Sequence, residues 1–394
     1  VPAGPGGSDA GAAVGTLLET ARLLSLKSQS APLNSIVLLF NEGEEFGLFG
    51  AKAFMNNHPL AKQLKLAINV EARGSTGKSV MFETGENSGW LVKHYIATTP
   101  APLSSSLFYE VYKFLPNDTD LTIFKEHGLQ GLNFAHADRL PHYHTPLDNL
   151  ENLDRGSLQH HGDNVWGVLS QIKDIDLTNV EKGNLVYSDI LGLFVVQWSE
   201  GFSILASIVL LMIFAVITYF YKTSLQLSLL QFAGGLLICL AILVTSAIAA
   251  LITLQAVQIL SGHSTPWHAN SLPMQLSIWL SVLFSGLLIG RWLVKKLSMI
   301  NMACSTIFLS ILLSIASSIW LTGISFLFLI PAIIGVLGLL TLGQRSLKKI
   351  NHDQNSATKS ESPTPYYAFV ILMVIVMAII FMPIAYVLEL MVGY

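Results

Sequence analysis

Apolar and polar positions divide the chain near residue 200. Beyond it, apolar residues run almost unbroken in stretches of about 20, the length that crosses a bilayer core as a helix. Six such stretches are predicted, at roughly 203–221, 233–254, 274–293, 300–320, 322–342 and 367–389. The fourth and fifth lie in one uncharged stretch from Ser298 to Gln344, read as two spans with a tight turn near Trp320–Gly323 rather than one long buried helix. Before residue 180 the pattern changes to short apolar runs alternating with helical periodicity, which predicts an α/β domain.

Within that first part, Asp9 to Lys27 carries helical apolar spacing at Val14, Leu17, Leu18, Ala21 and Leu24. Ser35–Phe40 (SIVLLF) is a continuous apolar run, as a buried parallel strand requires. Phe46–Asn56 reads as a helix, Leu66–Val70 and Ser79–Phe82 as strands, 88–98 and 104–114 as helices, Leu129–Ala135 as a strand and Asp154–Lys173 as a closing helix. The organisation expected is therefore residues 1–180 as an α/β domain, 181–202 as an interfacial linker bearing Tyr187, Phe194 and Trp198, and 203–394 as an all-α membrane domain of about six helices.

Charge sharpens this division. Residues 1–186 hold 14 Lys and Arg against 20 Asp and Glu, and residues 187–394 hold 8 against 5. Neither half is basic enough for a nucleic-acid partner. All eight basic residues of the second half fall after the first, third and fifth spans: Lys222; Arg291, Lys295 and Lys296; Arg345, Lys348, Lys349 and Lys359. That side is cytoplasmic by the positive-inside rule, which places residues 1–200 outside the cytoplasm, in the periplasm, cell exterior or an organelle lumen. The span centres carry no Asp, Glu, Lys, Arg or His, so an anchor and scaffold is favoured over a transport path. The two cysteines, Cys239 and Cys304, lie in apolar runs and exclude a disulfide framework and a cysteine zinc site.

The chemistry-bearing residues concentrate in the first half. Asp9 follows a Gly-rich loop and opens a helix; Glu44 and Glu45 follow an apolar run in NEGEEFGLFG; Glu71 ends a strand in INVEARG; His144 lies in PHYHTPLDN. Open α/β sheets bind ligands beyond the carboxyl ends of their strands, where these residues would converge. Each also has a plainer reading: Asp9 as a helix cap, the Glu pair and Glu71 as solvated surface, His144 as a loop histidine. Taken as a set, carboxylates with an imidazole suit Zn²⁺ and metal-assisted hydrolysis. Such a site needs a further unligated Glu as base, and Glu44 and Glu45 can divide the work of base and ligand. Tyr143 reads as an oxyanion partner or a packing residue, and Asp148 as a support for the ligands or a turn residue. His142, His160 and His161 read as solvated or structural.

Four segments, GPGGSDAGAAVGTLLETARLL, VLLFNEGEEFGLFGAKAF, INVEARGSTGKSVMFETG and GLNFAHADRLPHYHTPLDNLENLD, resemble in order the co-catalytic zinc aminopeptidases of the bacterial leucyl and aminopeptidase-S type. With its apolar half, the chain resembles the membrane branch that includes endoplasmic reticulum metallopeptidase and vacuolar membrane protease. The resemblance implies a mixed, mostly parallel sheet with helices on both faces and an aminopeptidase acting on peptides. It assigns Asp9 as the carboxylate bridging two zincs, Glu44 as general base, Glu45 and His144 as ligands of one zinc and Glu71 as ligand of the other. The family's further His ligand lies upstream of the bridging Asp. The chain opens on Val1 with no such His and no visible signal peptide, so it is expected to lack an upstream segment with the first strands and to bind its second zinc weakly or be inactive as it stands. The alternatives are a peptidase-like binding module without catalysis, a carboxypeptidase or cyclase on the same domain, and a transporter with an accessory domain.

Overall fold

The computed structural model describes residues 4–27, 32–263, 271–293, 295, 297–353 and 364–392. It divides into two compact units. One holds residues up to Glu200 together with the end of the last helix from Met382, and the other runs Gly201–Phe381.

The main sheet of the first unit has, among the described residues, three strands, β1 (Leu66–Ala72), β2 (Val80–Thr84) and β3 (Gln130–His136), in the order β1-β3-β2. β1 and β3 run parallel from Leu66↔Gln130 to Ala72↔His136, and β2 is antiparallel to β3, so the described sheet is mixed. Six helices join them: α1 (Gly11–Lys27), α2 (Phe49–Asn57), α3 (Gly89–Thr98), α4 (Ser106–Tyr112), α5 (Asp120–Glu126) and α6 (Arg155–Ile172).

Strand alternation gives the sheet two different faces. Leu132 and Phe134 of β3, with Met81, meet Trp90, Leu91 and Tyr95 of α3 and Val168, Leu169 and Ile172 of α6. Each such buried side chain contributes about 1.5–3 kcal/mol. The intervening positions are polar. Asn69 Nδ2 donates to Asn133 Oδ1 at 3.1 Å, and Asn133 Nδ2 donates to Glu83 Oε2 at 2.9 Å and to Thr119 Oγ1, at the start of α5, at 2.8 Å. Glu71 shares this polar face, so the alternation that builds the core also delivers a carboxylate to the strand end.

Three elements differ from the sequence pattern. Ser35–Phe40 forms neither helix nor strand and pairs with none of the described strands, and Val37 and Phe40 stand 38% and 48% exposed. An apolar run specifies burial but not a ladder partner, and strand structure needs both. α5 has only seven residues, too few for a periodic signal, and is fixed by a capping box between Thr119 and Thr122. Residues 185–199, inside the stretch read as a linker, form an antiparallel hairpin of β4 (Leu185–Ile190) and β5 (Phe194–Ser199), and Tyr187 belongs to the core.

Among the described residues of the second unit, five helices are long and apolar enough to cross a membrane: α7 (Glu200–Phe220), α8 (Leu229–Ser261), α9 (Ser271–Leu293), α10 (Met299–Trp320) and α11 (Phe326–Asp353). The stretch from Ser298 to Gln344 does break into two helices, at a 3₁₀ turn over Thr322–Ile324. The sixth apolar run lies in α12 (Thr364–Val392), whose described apolar segment, Val374–Leu388, is shorter. Hydroxyls link the helices: Ser207 Oγ lies 2.7 Å from Ser314 Oγ, and Ser325 Oγ donates to Ser203 Oγ at 2.9 Å. Such bonds satisfy polar groups where lipid offers no partner. Lys296 and Lys359 lie outside the described residues.

Candidate metal centre

Three loops bring the candidate donors together. The first is the turn before α1. Gly7 passes so close to the segment carrying His144 that a Cβ there would lie 2.6 Å from the Asn149 carbonyl carbon, and its N–H donates to Asp148 O at 3.0 Å. The second is the turn before α2, where Gly43 takes φ +76° and the Glu44 carbonyl accepts from Gly47 N and Leu48 N at 3.0 and 2.8 Å. These two backbone bonds close the turn that carries Glu44 and Glu45. The third is the loop from β3 to α6, in which Tyr143 stacks on His144 with ring centroids 3.6 Å apart.

Asp9, Glu45 and His144 meet with one donor atom each, all within 4.8 Å of one another. His144 Nε2 lies 2.6 Å from Glu45 Oε1 and 3.3 Å from Asp9 Oδ2. Yet His144 Nε2 and Asp9 Oδ2 are buried without a hydrogen-bond partner. Two lone-pair atoms shut away from water and aimed at one point fit a cation, because a buried polar atom left unsatisfied is costly. Asp9 Oδ2 therefore serves no helix cap.

The charges are consistent with this fit. Burial, and then the neighbouring Glu45 carboxylate, pushes the Asp9 carboxyl up to about 6. Burial and the charges of Glu45, Asp120 and Asp9 push Glu44 to about 7. Glu71 is raised well above the carboxylate range by burial and then by Glu44, against a hydrogen bond from Asn69. Carboxylates packed this closely titrate late unless a cation compensates them.

A stability prediction follows, with a definite sign. The folded metal-free state holds protons on Asp9 and Glu44 that the unfolded chain releases near 3.8 and 4.5, so their contribution is full below those values and is lost as pH rises through about 6 and 7. The buried imidazoles of His136 and His161, held below 6.5, act in the opposite direction, but only below that value. From about pH 6.5 to 8 the metal-free melting midpoint should therefore fall, and added zinc should reverse the fall at pH 8. Differential scanning fluorimetry checks this, and a metal-free midpoint that climbs over that window contradicts it.

The remaining sequence candidates have clear places. Glu44 is adjacent to the cluster and electrostatically coupled to Glu45 and Asp9. Glu71 is coupled to Glu44 and Asp9 but is not one of the three convergent residues. Asp148 is 3% exposed and accepts the Ser8 and Asp9 backbone N–H groups at 2.6 and 3.1 Å, so it holds the Asp9 loop. Tyr143 packs on the His144 ring. Sequence reasoning missed Asp120, which is 7% exposed, accepts from Asn41 Nδ2 at 2.6 Å and raises Glu44. It also missed Ser8, visible only as the residue before Asp9.

Residues 1–169 match the model of Peptidase family M28. The α/β unit thus resembles an M28 peptidase domain over the matched residues, and the apolar helices that follow are long enough to cross a membrane. The relatives have the same character. The chain is 32% identical over 229 residues to endoplasmic reticulum metallopeptidase 1 of Homo sapiens, covering 56% of this chain and 25% of that protein. It is 30% identical over 305 residues to putative endoplasmic reticulum metallopeptidase 1-B of Caenorhabditis elegans, covering 74% and 33%. It is 33% identical over 199 residues to the vacuolar membrane protease of Yarrowia lipolytica, covering 50% and 20%. The chain thus spans a fifth to a third of the length of these relatives. No solved structure matches it.

Proposed function

We propose that this protein is a membrane-anchored zinc exopeptidase, specifically an aminopeptidase, with its peptidase domain outside the cytoplasm. The observation that carries the reading is the convergence of Asp9, Glu45 and His144 on one point, with two of the buried donor atoms making no hydrogen bond. These three would hold one zinc, and Asp9 with Glu71 would hold a second, with fewer protein ligands. Bound zinc supplies a Lewis acid that polarises the scissile carbonyl and acidifies water. The chain's own residues do the rest. Glu44, with its carboxyl near 7, is matched to accept a proton at neutral pH and return it to the leaving amine. Asp148 holds the Asp9 loop, and Tyr143 fixes the plane of the His144 ring. The peptide is the substrate and the bilayer the second partner. The outside location rests on the one-sided distribution of Lys and Arg between the spans.

The test is release of the N-terminal residue from a free peptide by the gene product in detergent with zinc, beside the same peptide acetylated at its N-terminus. Release from the free peptide alone is expected. Cleavage of both equally points to a carboxypeptidase on the same domain, and zinc binding without cleavage of either points to a binding module.

A further inference from the structure

Behind the convergent donors runs a buried polar chain that neither the candidate ligands nor the candidate base uses. Asn164 Nδ2, on α6, donates to Ser79 O at 3.2 Å and to Ser79 Oγ at 2.9 Å. Ser79 Oγ lies 2.7 Å from His161 Nδ1, and His161 Nε2 lies 2.7 Å from His136 Nδ1. His136 Nε2 lies 2.6 Å from Ser8 Oγ, which donates to Gly74 O at 2.6 Å. Ser8, Ser79, His136, His161 and Asn164 are all 0% exposed.

The two ends of this chain fix every proton between them. Asn164 also donates to a carbonyl, so its nitrogen faces Ser79, and the Ser79 hydroxyl accepts from it. The Ser79 proton then goes to His161 Nδ1. His161 therefore carries its proton on Nε2 and gives it to His136 Nδ1. His136 carries its own on Nε2 and gives it to Ser8 Oγ. At the far end the Gly74 carbonyl can only accept, so the Ser8 proton points there. Both ends demand the same direction, and each ring nitrogen and hydroxyl oxygen between them finds a complementary partner. Both rings are neutral in this arrangement, in keeping with burial holding both imidazoles below their ordinary range. His160 braces the chain, accepting from Ser79 N at 2.9 Å while its Nε2 reaches Ala101 O at 2.9 Å.

The chain meets the metal loop at Ser8, whose own N–H and that of Asp9 sit on the Asp148 carboxylate. Ser8 is thus held by Asp148 on its backbone side and by His136 on its hydroxyl side. A directional chain tolerates one placement of that hydroxyl, because a shifted loop leaves the buried His136 Nε2–H and Ser8 O–H without their acceptors. An apolar pair of the same volume would pack without choosing.

We propose that His136 and His161 are positioning residues of the metal centre, a paired-imidazole chain that sets the Ser8 hydroxyl and through it the Asp9 carboxylate. The proposal rests on the reading of Asp9 as a metal ligand.

The test is zinc affinity of the full chain in detergent, measured by competition with a chromophoric chelator. The variants are Ser8→Ala, His136→Leu, His161→Leu and His136→Gln. Partners of metal ligands alter affinity by about 10–100-fold when removed, and that weakening is expected for Ser8→Ala and both Leu variants. Ser8→Ala keeps both rings in place, so it decides the matter even if a Leu variant does not fold. His136→Gln offers an amide N–H and a carbonyl oxygen in place of the two ring nitrogens, and should stay within about threefold of the parent, well short of a 10–100-fold loss. Unchanged affinity in Ser8→Ala overturns the proposal, and so does a Gln variant as weak as the Leu one, which assigns the pair to packing. Both results leave the peptidase reading standing. A parent chain that binds no zinc overturns both.

Discussion

Glu44→Gln should lower turnover of a free peptide by about 10²–10⁴-fold, the share that a positioned acid–base group contributes, while bound zinc stays in place. The amide keeps the shape of the side chain but cannot take and return a proton. Glu44 is not one of the three convergent donors, so its charge is not needed to hold the ion there. Its removal also relieves repulsion, since Glu44 is the first charge that raises Glu71. The decisive measurement is kcat on a free peptide together with metal content of the same preparation. Turnover retained near the parent level removes Glu44 from the role of base. Lost turnover accompanied by lost zinc reassigns it as a ligand.

Asp9→Asn should have the largest effect on metal. Asp9 is the one carboxylate placed both against the Glu45–His144 pair and in the field of Glu71. Removing its charge should weaken zinc by at least the ~100-fold seen when only an outer partner of a ligand is lost. The parent chain should take about one zinc tightly, through Asp9, Glu45 and His144, and a second weakly, because affinity follows the number of ligands. Stability should move the other way. Asp9 is held to about 6 by burial and by Glu45, so a neutral amide removes a charge that the metal-free fold accommodates poorly. Near pH 8 the metal-free Asp9→Asn protein should melt no lower than the metal-free parent. Isothermal titration with zinc and a metal-free melting curve read both signs at once. A variant that binds zinc as the parent does removes Asp9 from the centre.

Much of this arrangement was legible in the residues. Helical spacing located α1, α3 and α6, and the apolar runs located β1, β2 and β3, because each element buries a face whose period the sequence records. The order of the four motifs singled out Asp9, Glu44, Glu45, Glu71 and His144. Ser35–Phe40 shows the limit of that reading: its apolar pattern suits a strand, yet pairing depends on a neighbour that the run itself does not specify. α5 was too short to show a period, and the β4–β5 hairpin lay where interfacial aromatics suggested a linker.

By itself the sequence determined that a polar α/β part precedes an apolar helical part, and which acidic and histidine residues stand at strand and helix ends. Those properties follow from composition and period, which are local. The tertiary structure alone decided that Asp9, Glu45 and His144 share one point while Glu71 stands apart from it, that Asp148 grips a backbone rather than a ligand, and that His136 and His161, unremarkable in the sequence, form one buried chain ending on Ser8. These are relations between residues 25 to 140 positions apart, fixed by the register of two parallel strands and the close passage of two loops. Loop closure of that kind is settled by packing and hydrogen bonding across the whole domain, and no local pattern records it.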